Sequence, residues 1–346
     1  MSLNIKEKIS FNLLNILLES NYQRLNKLYQ KYNSWSKILQ NTDYDSLKYD
    51  PEKEYKKLEN NKIKLILKDE EKYPRLLKEI PLAPYGIYVL GNENILNQKT
   101  IAIVGTRKAT AEGKLIAKKF AEELSRYNLN IASGLALGID SAAHLGALEN
   151  NGKTIAILGN GLLNIYPATN KNLAEKIINS NGAIISEYNI YAASLPYRFL
   201  ERNRIISGLS LGVLIIEAPQ ESGALNTARF ASDQNREVWV VPGSIFNSNF
   251  LGSHKLIQNG ASLVINPKDI LLDLNIEINN FQNQNLNLSK EEKFVYTTIK
   301  NYGQPINIDK IIEITNLKTQ MVSQIISLLL IKNLIKEINQ GYIVNL

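Results

Sequence analysis

The sequence predicts an α/β protein: a doubly wound, mainly parallel sheet, preceded by a helical segment and followed by a small helical unit. Three observations predict it. Short β-branched runs recur through the middle of the chain: IAIVG (101–105), NIASG (130–134), TIAILG (154–159), AIISE (183–187), GVLIIEA (212–218), EVWVVPG (237–243) and SLVIN (262–266). They are apolar at consecutive positions, as strands covered on both faces are. Segments of helical period, such as EGKLIAKKFAEELSRY and ESGALNTARFASDQN, lie between most of them, and alternating strand and helix gives parallel crossovers.

The flanking elements follow in chain order. Residues 1–62 read as an N-terminal helical domain, because FNLLNILLES and YQRLNKLYQKY space their apolar residues at roughly the helical period. Residues 63–272 form the α/β core. Residues 273–289 are rich in Asn and Gln and hold no Lys or Arg before the next unit, which reads as a linker. Residues 290–346 give a winged-helix pattern: SKEEKFVYTTIKN, NIDKIIEIT and KTQMVSQIISLLLIKNLI as three helices, and IKEINQGYIVNL as a two-stranded wing turning at Gln340-Gly341. The third helix begins near Lys318, Thr319 and Gln320, which are able to meet DNA. It is less basic than helices that read duplexes, so a protein-contacting or accessory role is favoured, with weak DNA binding as the alternative.

Composition excludes several chemistries. At 346 residues, 44% hydrophobic and 21% charged, this is an ordinary globular composition. No cysteine is present, so disulfides, thiolate catalysis and cysteine zinc sites are excluded. No run approaches the ~18 apolar residues of a membrane span. The start, MSLNIKEKISF, has no apolar export core, and a cytoplasmic location is expected. The net charge of +7 leans toward anionic partners. No segment is a polybasic tail, so an anion site has to be made by folding. The chain lacks G-x-G-x-x-G and G-x-x-x-x-G-K-[ST], which argues against dinucleotide and P-loop sites. His144 and His254 are the only histidines; His144, on a probable helix, reads as a packing or hydrogen-bonding residue. Asp140 and Glu187 are candidates for acid–base work, but Asp140 falls where a helix N-cap is expected. No catalytic constellation, metal site or cofactor is predicted.

Ligands of such sheets bind beyond the carboxyl ends of the strands. Those ends read Gly105-Thr106-Arg107, Ser133-Gly134, Gly159-Asn160-Gly161, Ser186-Glu187, Glu217 through Ser222-Gly223, and Pro242-Gly243. Small residues before helix N-termini let backbone N–H groups approach an anion. With Arg107, Arg202 and Arg204 close by in the topology, this rim points to phosphate.

The segments IAIVGTRKAT, IASGLALGIDSAAHLGAL, TIAILGNGLLNIYP, FLERNRIISGLS, EAPQESGALNTARFASDQNREVWVVPG and LGSHKLIQNGA, in that order, resemble the DNA-processing protein A family (DprA, also called Smf). The lead-in EKYPRLLKEIPLAPYGIYVLGN is also similar, so the likeness covers roughly residues 65–270. The resemblance implies an extended Rossmann-like core without catalytic activity. It implies a homodimer that binds single-stranded DNA, protects incoming strands in natural transformation, and loads the RecA recombinase for homologous recombination. The family's basic pocket maps onto Gly105, Thr106, Arg107 and Lys108 of GTRKAT, Ser133 and Gly134 of SGLALGID, Arg202, Asn203 and Arg204 of ERNRI, and Ser222, Gly223 and Thr227 of SGALNTA. Phe199 matches the aromatic before the arginines. Leu137 and Leu145 stand at commonly basic positions, Leu200 replaces a proline, and SGALNTA replaces SGSLITA. The N-terminal segment resembles the family's helical domain but lacks the glycine-centred hairpin that contacts DNA backbone.

These residue types suit a single strand. Guanidinium forks fit phosphate oxygens, and Phe199 is able to stack on an exposed base, with core packing weighed equally against it. Arg202, Asn203 and Arg204 are expected at the N-terminal end of a short helix, IISGLS, facing solvent and phosphate. The alternative for Arg204 is to brace Glu187 or Glu217. Two other functions compete. Phosphoribohydrolases share a related core but carry a PGGxGT turn, where this chain has APQESGALNT. A winged-helix transcription factor with a sensor core is the weaker option.

Overall fold

The computed structural model describes residues 3–41, 49–277, 288–332, 334–338 and 341–344. The chain divides into two compact units, Met1–Glu277 and Ile278–Leu346. The division falls inside the predicted linker, most of which (278–287) lies outside the described residues.

The first unit opens with four helices, α1 (Leu3–Leu17), α2 (Tyr22–Tyr32), α3 (Trp35–Asn41) and α4 (Pro51–Asn60). Asn21 caps α2 by accepting from Arg24 N, and Asp50 caps α4 ahead of Pro51, whose missing N–H costs nothing in a first turn. Nine strands form one sheet: β1 (Ile63–Leu67), β2 (Gly86–Gly91), β3 (Thr100–Val104), β4 (Asn130–Ser133), β5 (Thr154–Ile157), β6 (Ala183–Ser186), β7 (Gly212–Ile215), β8 (Glu237–Val240) and β9 (Ser262–Leu263). Their order is β1-β2-β6-β5-β4-β3-β7-β8-β9. Strands β3 to β9 pair in parallel; β1 and β2 add an antiparallel extension on β6. The seven parallel strands are the runs the sequence displays. β1 and β2 are strands the sequence reading does not name.

The helices between its strands are α5 (Arg75–Lys78), α6 (Ala111–Arg126), α7 (Ile139–Glu149), α8 (Lys171–Asn179), α9 (Pro196–Gly208), α10 (Gly223–Asp233) and α11 (Leu251–Gln258), and α12 (Pro267–Asp273) follows β9. On one face, Ile205 and Ile206 of α9 and Ala224, Ala228 and Ala231 of α10 pack with Val104, Ala132, Ile157 and Val213. On the other, α8 and the four N-terminal helices share a core with Leu65, Tyr88, Ala156, Leu158 and Ile184. Phe11, Leu14, Trp35, Ile38 and Leu58 are all in that second core, and Phe11 meets Trp35 edge-on at 4.9 Å. The N-terminal helices are thus a layer on the sheet, with no core of their own.

The second unit holds α13 (Lys290–Tyr302), α14 (Ile308–Thr315), α15 (Thr319–Ile331) and an antiparallel pair, β10 (Ile335–Ile338) and β11 (Gly341–Val344). Ser289 and Glu292 form a capping box on α13. Val295, Ile299, Ile311, Val322, Ile326 and Leu329 make its core with Ile335 and Val344. Ile306 bridges to Tyr342. Gln340, half of the predicted wing turn, lies outside the described residues. Among the described residues no single helix is long and apolar enough to cross a membrane.

Trp35 and Trp239 are the chain's two tryptophans, one on each side of the predicted boundary at residue 62. With Trp239 as sole reporter in a Trp35→Phe background, Phe11→Ala is expected to destabilise the Trp239 transition in urea by about 3–5 kcal/mol. An unchanged Trp239 transition would mean that the helices and the sheet unfold independently.

Candidate nucleic-acid interface

The strand order reverses between the neighbours β3 and β7, whose carboxyl ends open on one edge of the sheet. Doubly wound sheets bind ligands at such a crevice. Here a carboxylate fills it. Glu217, fully buried after β7, accepts from Thr110 N (3.0 Å), from the Thr110 hydroxyl and from Asn249 Nδ2 (3.1 Å). Its carbonyl oxygen accepts from Thr106 N at 2.7 Å. The approach is close enough that a Cβ on Gly113 would lie 2.3 Å from Glu217 Oε1, and one on Gly105 would strike Ile139 at 2.5 Å. The loop 105–110 is thereby fixed, Thr106 is buried, and Arg107 and Lys108 project into solvent. Neither pairs with a carboxylate among the described residues.

The arginines of FLERNRIISGLS do not begin a helix. Residues 196–208 form one helix, α9, which Pro196 starts well ahead of the arginines. Arg202, Asn203 and Arg204 lie in its second and third turns, only 4%, 7% and 6% exposed. They do not face solvent from a helix start. Each has an internal partner instead. Parallel strands ending at a sheet edge leave carbonyls that need donors. Arg202 Nη1 supplies them, donating to Gly134 O at 2.9 Å and to Ile157 O, while Nε donates to Asn203 Oδ1 at 3.3 Å. Asn203 Nδ2 donates to Gly223 O at 3.2 Å, which ties α9 to the start of α10. Arg204 pairs with Glu187, both side chains under 10% exposed, and its guanidinium lies 5.8 Å from the Tyr22 ring. Of the two readings for Arg204, the structural brace is the one observed.

The Ser-Gly turn after β4 is also engaged internally. Ser133 Oγ donates to Ile103 O (2.7 Å), and Gly134 N donates to Asp140 Oδ2 (3.0 Å). A Cβ on Gly134 would meet the Arg202 guanidinium at 2.5 Å, so only glycine lets the two approach. Asp140 is therefore no N-cap. It sits one residue inside α7, whose cap position is Gly138, and it holds the loop before the helix. Burial pushes the Asp140 carboxyl up, opposed by Arg202 and by the loop N–H groups. Burial likewise pulls the Arg202 guanidinium down to about 10, with Asp140 opposing, so it stays charged at neutral pH. At α10, Ser222 caps the helix by accepting from Ala224 N (3.2 Å), Gly223 is exposed with open space above it, and Thr227 is buried.

One group of predicted residues does meet at the surface. Arg107, Phe199 and the Gly134–Arg202 contact line a small cavity together with Ala136, Leu137, Tyr166 and Pro167. The Arg107 guanidinium lies 5.4 Å from the Phe199 ring centre, and the Tyr166 ring centre stands 5.3 Å from it. Phe199 is half-buried, so it packs and still presents ring surface. Tyr166 is the residue that sequence reasoning left out of this cavity, although it is the penultimate residue of the quoted segment TIAILGNGLLNIYP; Glu217 was named only as a strand end on the rim and as a possible partner of Arg204. Leu137 puts an apolar wall there, 47% exposed.

His144 is fully buried on α7, and its Nδ1 lies 2.7 Å from Thr154 Oγ1. That hydroxyl donates to Ile131 O, so the imidazole must carry its proton on Nδ1, leaving Nε2 without a partner. Burial, with the Arg202 charge adding to it, pulls the imidazole down to about 3. An unfolded imidazole titrates near 6.5. Between those values the unfolded chain binds a proton that the fold refuses, so this group makes stability fall as the pH drops. His144→Gln removes that component. Its unfolding free energy is expected to change by about 1 kcal/mol per pH unit less than that of the parent chain between about pH 6 and pH 5. Equal slopes in urea titrations would mean that His144 protonates within the fold.

Comparison with known proteins gives this edge a family. Residues 64–275 match the model of the DNA recombination-mediator protein A family. Protein Smf of Escherichia coli is 44% identical over 210 residues, covering 61% of this chain and 56% of that protein. DNA processing protein DprA of Streptococcus pneumoniae is 42% identical over 201 residues, 58% of this chain and 71% of that one. The chain thus aligns with little more than half the length of the E. coli relative. The structure of the S. pneumoniae protein superposes with a TM-score of 0.65 at 32% identity, covering 78% of this chain and 99% of that one. The DNA processing protein A of Helicobacter pylori, described for its single-stranded DNA binding mode, superposes with a TM-score of 0.56 at 30% identity over 61% of this chain and 95% of its own. With more than half of its residues matched by one family model, the chain belongs to the DNA recombination-mediator protein A family.

Proposed function

We propose that this protein binds single-stranded DNA along the carboxyl edge of its sheet and delivers it to the RecA recombinase, protecting incoming strands in natural transformation. The observation that carries the reading is the cavity where the Arg107 guanidinium, Phe199 and Tyr166 converge. A duplex hides its base faces; a single strand offers them to such rings, with little preference among bases. Arg107 and Lys108 neutralise backbone phosphates, and the exposed Gly223 at the start of α10 adds its own N–H. The single-stranded DNA binding described for the H. pylori relative supports the same ligand here. In this reading the protein is a cytoplasmic homodimer that binds without catalysing a reaction, and its C-terminal unit is an accessory winged-helix domain.

The reading separates two kinds of arginine. Arg107 contacts DNA, whereas Arg202 and Arg204 build the edge on which it stands. A gel-shift series with labelled single-stranded and duplex oligonucleotides tests this. Single strands are expected to bind preferentially, with log affinity falling against log salt by about 0.7 per phosphate contacted. Phe199→Ala is expected to lose about 1–3 kcal/mol of binding, and Arg107→Ala to flatten the salt slope with an unchanged unfolding midpoint. Arg204→Ala leaves Glu187 buried and unpaired and is expected to lose about 3–5 kcal/mol of stability. Equal or better binding of duplex would overturn the proposal.

A further inference from the structure

A second, larger cleft of about 510 Å³ lies on the Arg204 side of α9. It opens between the turn joining α1 to α2 and the N-terminal half of α9. Its walls are already braced: Arg198 donates to Glu19 O (3.2 Å) and to Ala193 O (2.8 Å), and its guanidinium lies 5.0 Å and 5.8 Å from the Tyr188 and Tyr197 rings. Tyr22 and Tyr197 offer ring surface in it; Tyr197 is 53% exposed. Arg24 lines it, exposed, with no carboxylate partner among the described residues.

The cleft is also lined by the Glu187–Arg204 pair, and that pair is incomplete. One carboxylate oxygen and one guanidinium nitrogen face each other; Glu187 Oε1 and Arg204 Nη1 are buried and have no hydrogen-bond partner. Both side chains are more than nine-tenths buried. The orphaned acceptor and the orphaned donor of one ion pair are satisfied together by a ligand group presenting a donor and an acceptor. The pairing edge of every nucleobase presents that pattern. A volume in the range of small-ligand pockets, flanking tyrosine rings and an unpaired arginine complete what a nucleotide needs.

α9 separates this cleft from the Arg107–Phe199 cavity. Between them its outer face shows Tyr197 and Leu200, both about half exposed. A helix with its side chains is about 10 Å across, a gap that a few nucleotides of extended strand cover. We propose that the cleft between the α1–α2 turn and α9 is a second base-binding subsite for the same DNA strand, which crosses α9 from Phe199 to Tyr22 and Tyr197. This rests on the single-stranded DNA reading above. It gives the N-terminal helices a contact with bases that requires no backbone-binding hairpin.

The test compares fluorescence anisotropy of a labelled trinucleotide with that of an oligothymidylate of about 12 nucleotides. Arg24→Ala combined with Tyr197→Ala alters exposed side chains only. The double variant is expected to bind the longer strand about tenfold more weakly and the trinucleotide unchanged, while Arg107→Ala weakens both. Undiminished binding of the longer strand by the double variant, with the Arg107→Ala loss intact, would overturn the second subsite and leave the first. No loss with Arg107→Ala and no preference for single strands would overturn both. Photocrosslinking of a bromodeoxyuridine-substituted strand gives an independent readout. Crosslinks to Tyr22 or Tyr197 support the subsite, and crosslinks confined to Phe199 and the loop 105–110 refute it.

Discussion

A single buried guanidinium holds the carboxyl edge of this sheet together. Arg202 binds the carbonyl groups where β4 and β5 end, orders Asn203, and fixes the turn at Gly134 on which Asp140 also acts. Removing a charge from water is expensive unless hydrogen bonds and an opposite charge compensate. The strand-end carbonyls and the nearby Asp140 carboxylate provide that compensation. The exposed residues of the candidate interface depend on it. Phe199 lies one turn before Arg202 on the same helix, so the position of its ring follows from where the guanidinium docks. Gly134 and Arg202 together form the inner wall of the cavity that Arg107 and Tyr166 complete.

A second constraint works alongside the first. Glu217 occupies the crevice at the switch point and binds the loop after β3 from beneath. A fold that commonly seats a ligand phosphate there has an internal carboxylate instead. Cations on the loop are turned outward as a result. This favours a polymeric anion lying across the surface over a small molecule enclosed within it. Lys108 remains linked to the far side of the edge through its carbonyl, which accepts from Asn249 Nδ2.

Much of this architecture was legible in the sequence, for identifiable reasons. Parallel strands are buried on both faces, so their consecutive apolar residues stand out; β1 and β2 are hidden because they belong to an antiparallel extension outside that repeating pattern. His144 was readable as a packing or hydrogen-bonding residue, the usual role of a lone histidine on a helix. The burial of Arg202 was not, and that of Arg204 was present only as the alternative in which it braces a carboxylate such as Glu187. Charge suggests exposure, and the partners that make burial tolerable, Gly134 O, Ile157 O and Glu187, lie far away in the chain. Pro196 was the available local signal, since a proline at a first helical position places the arginines deep within the helix. Tyr166 joins the site only through tertiary contact with Phe199, which no local pattern encodes.

Arg202 and Arg204 lie two positions apart on α9 and so point to nearly opposite sides of it, one into the strand ends and the other to Glu187. The helix is therefore locked about its own axis by two buried charges. One residue inserted or deleted ahead of them would turn Pro196 through Glu201 by about 100° relative to the pair. Phe199 would leave the cavity and Tyr197 would leave the cleft in the same step. Length variation among relatives should then be absent from this helix and collect in surface loops elsewhere, with α9 serving as a fixed ruler against which the rest of the edge is set.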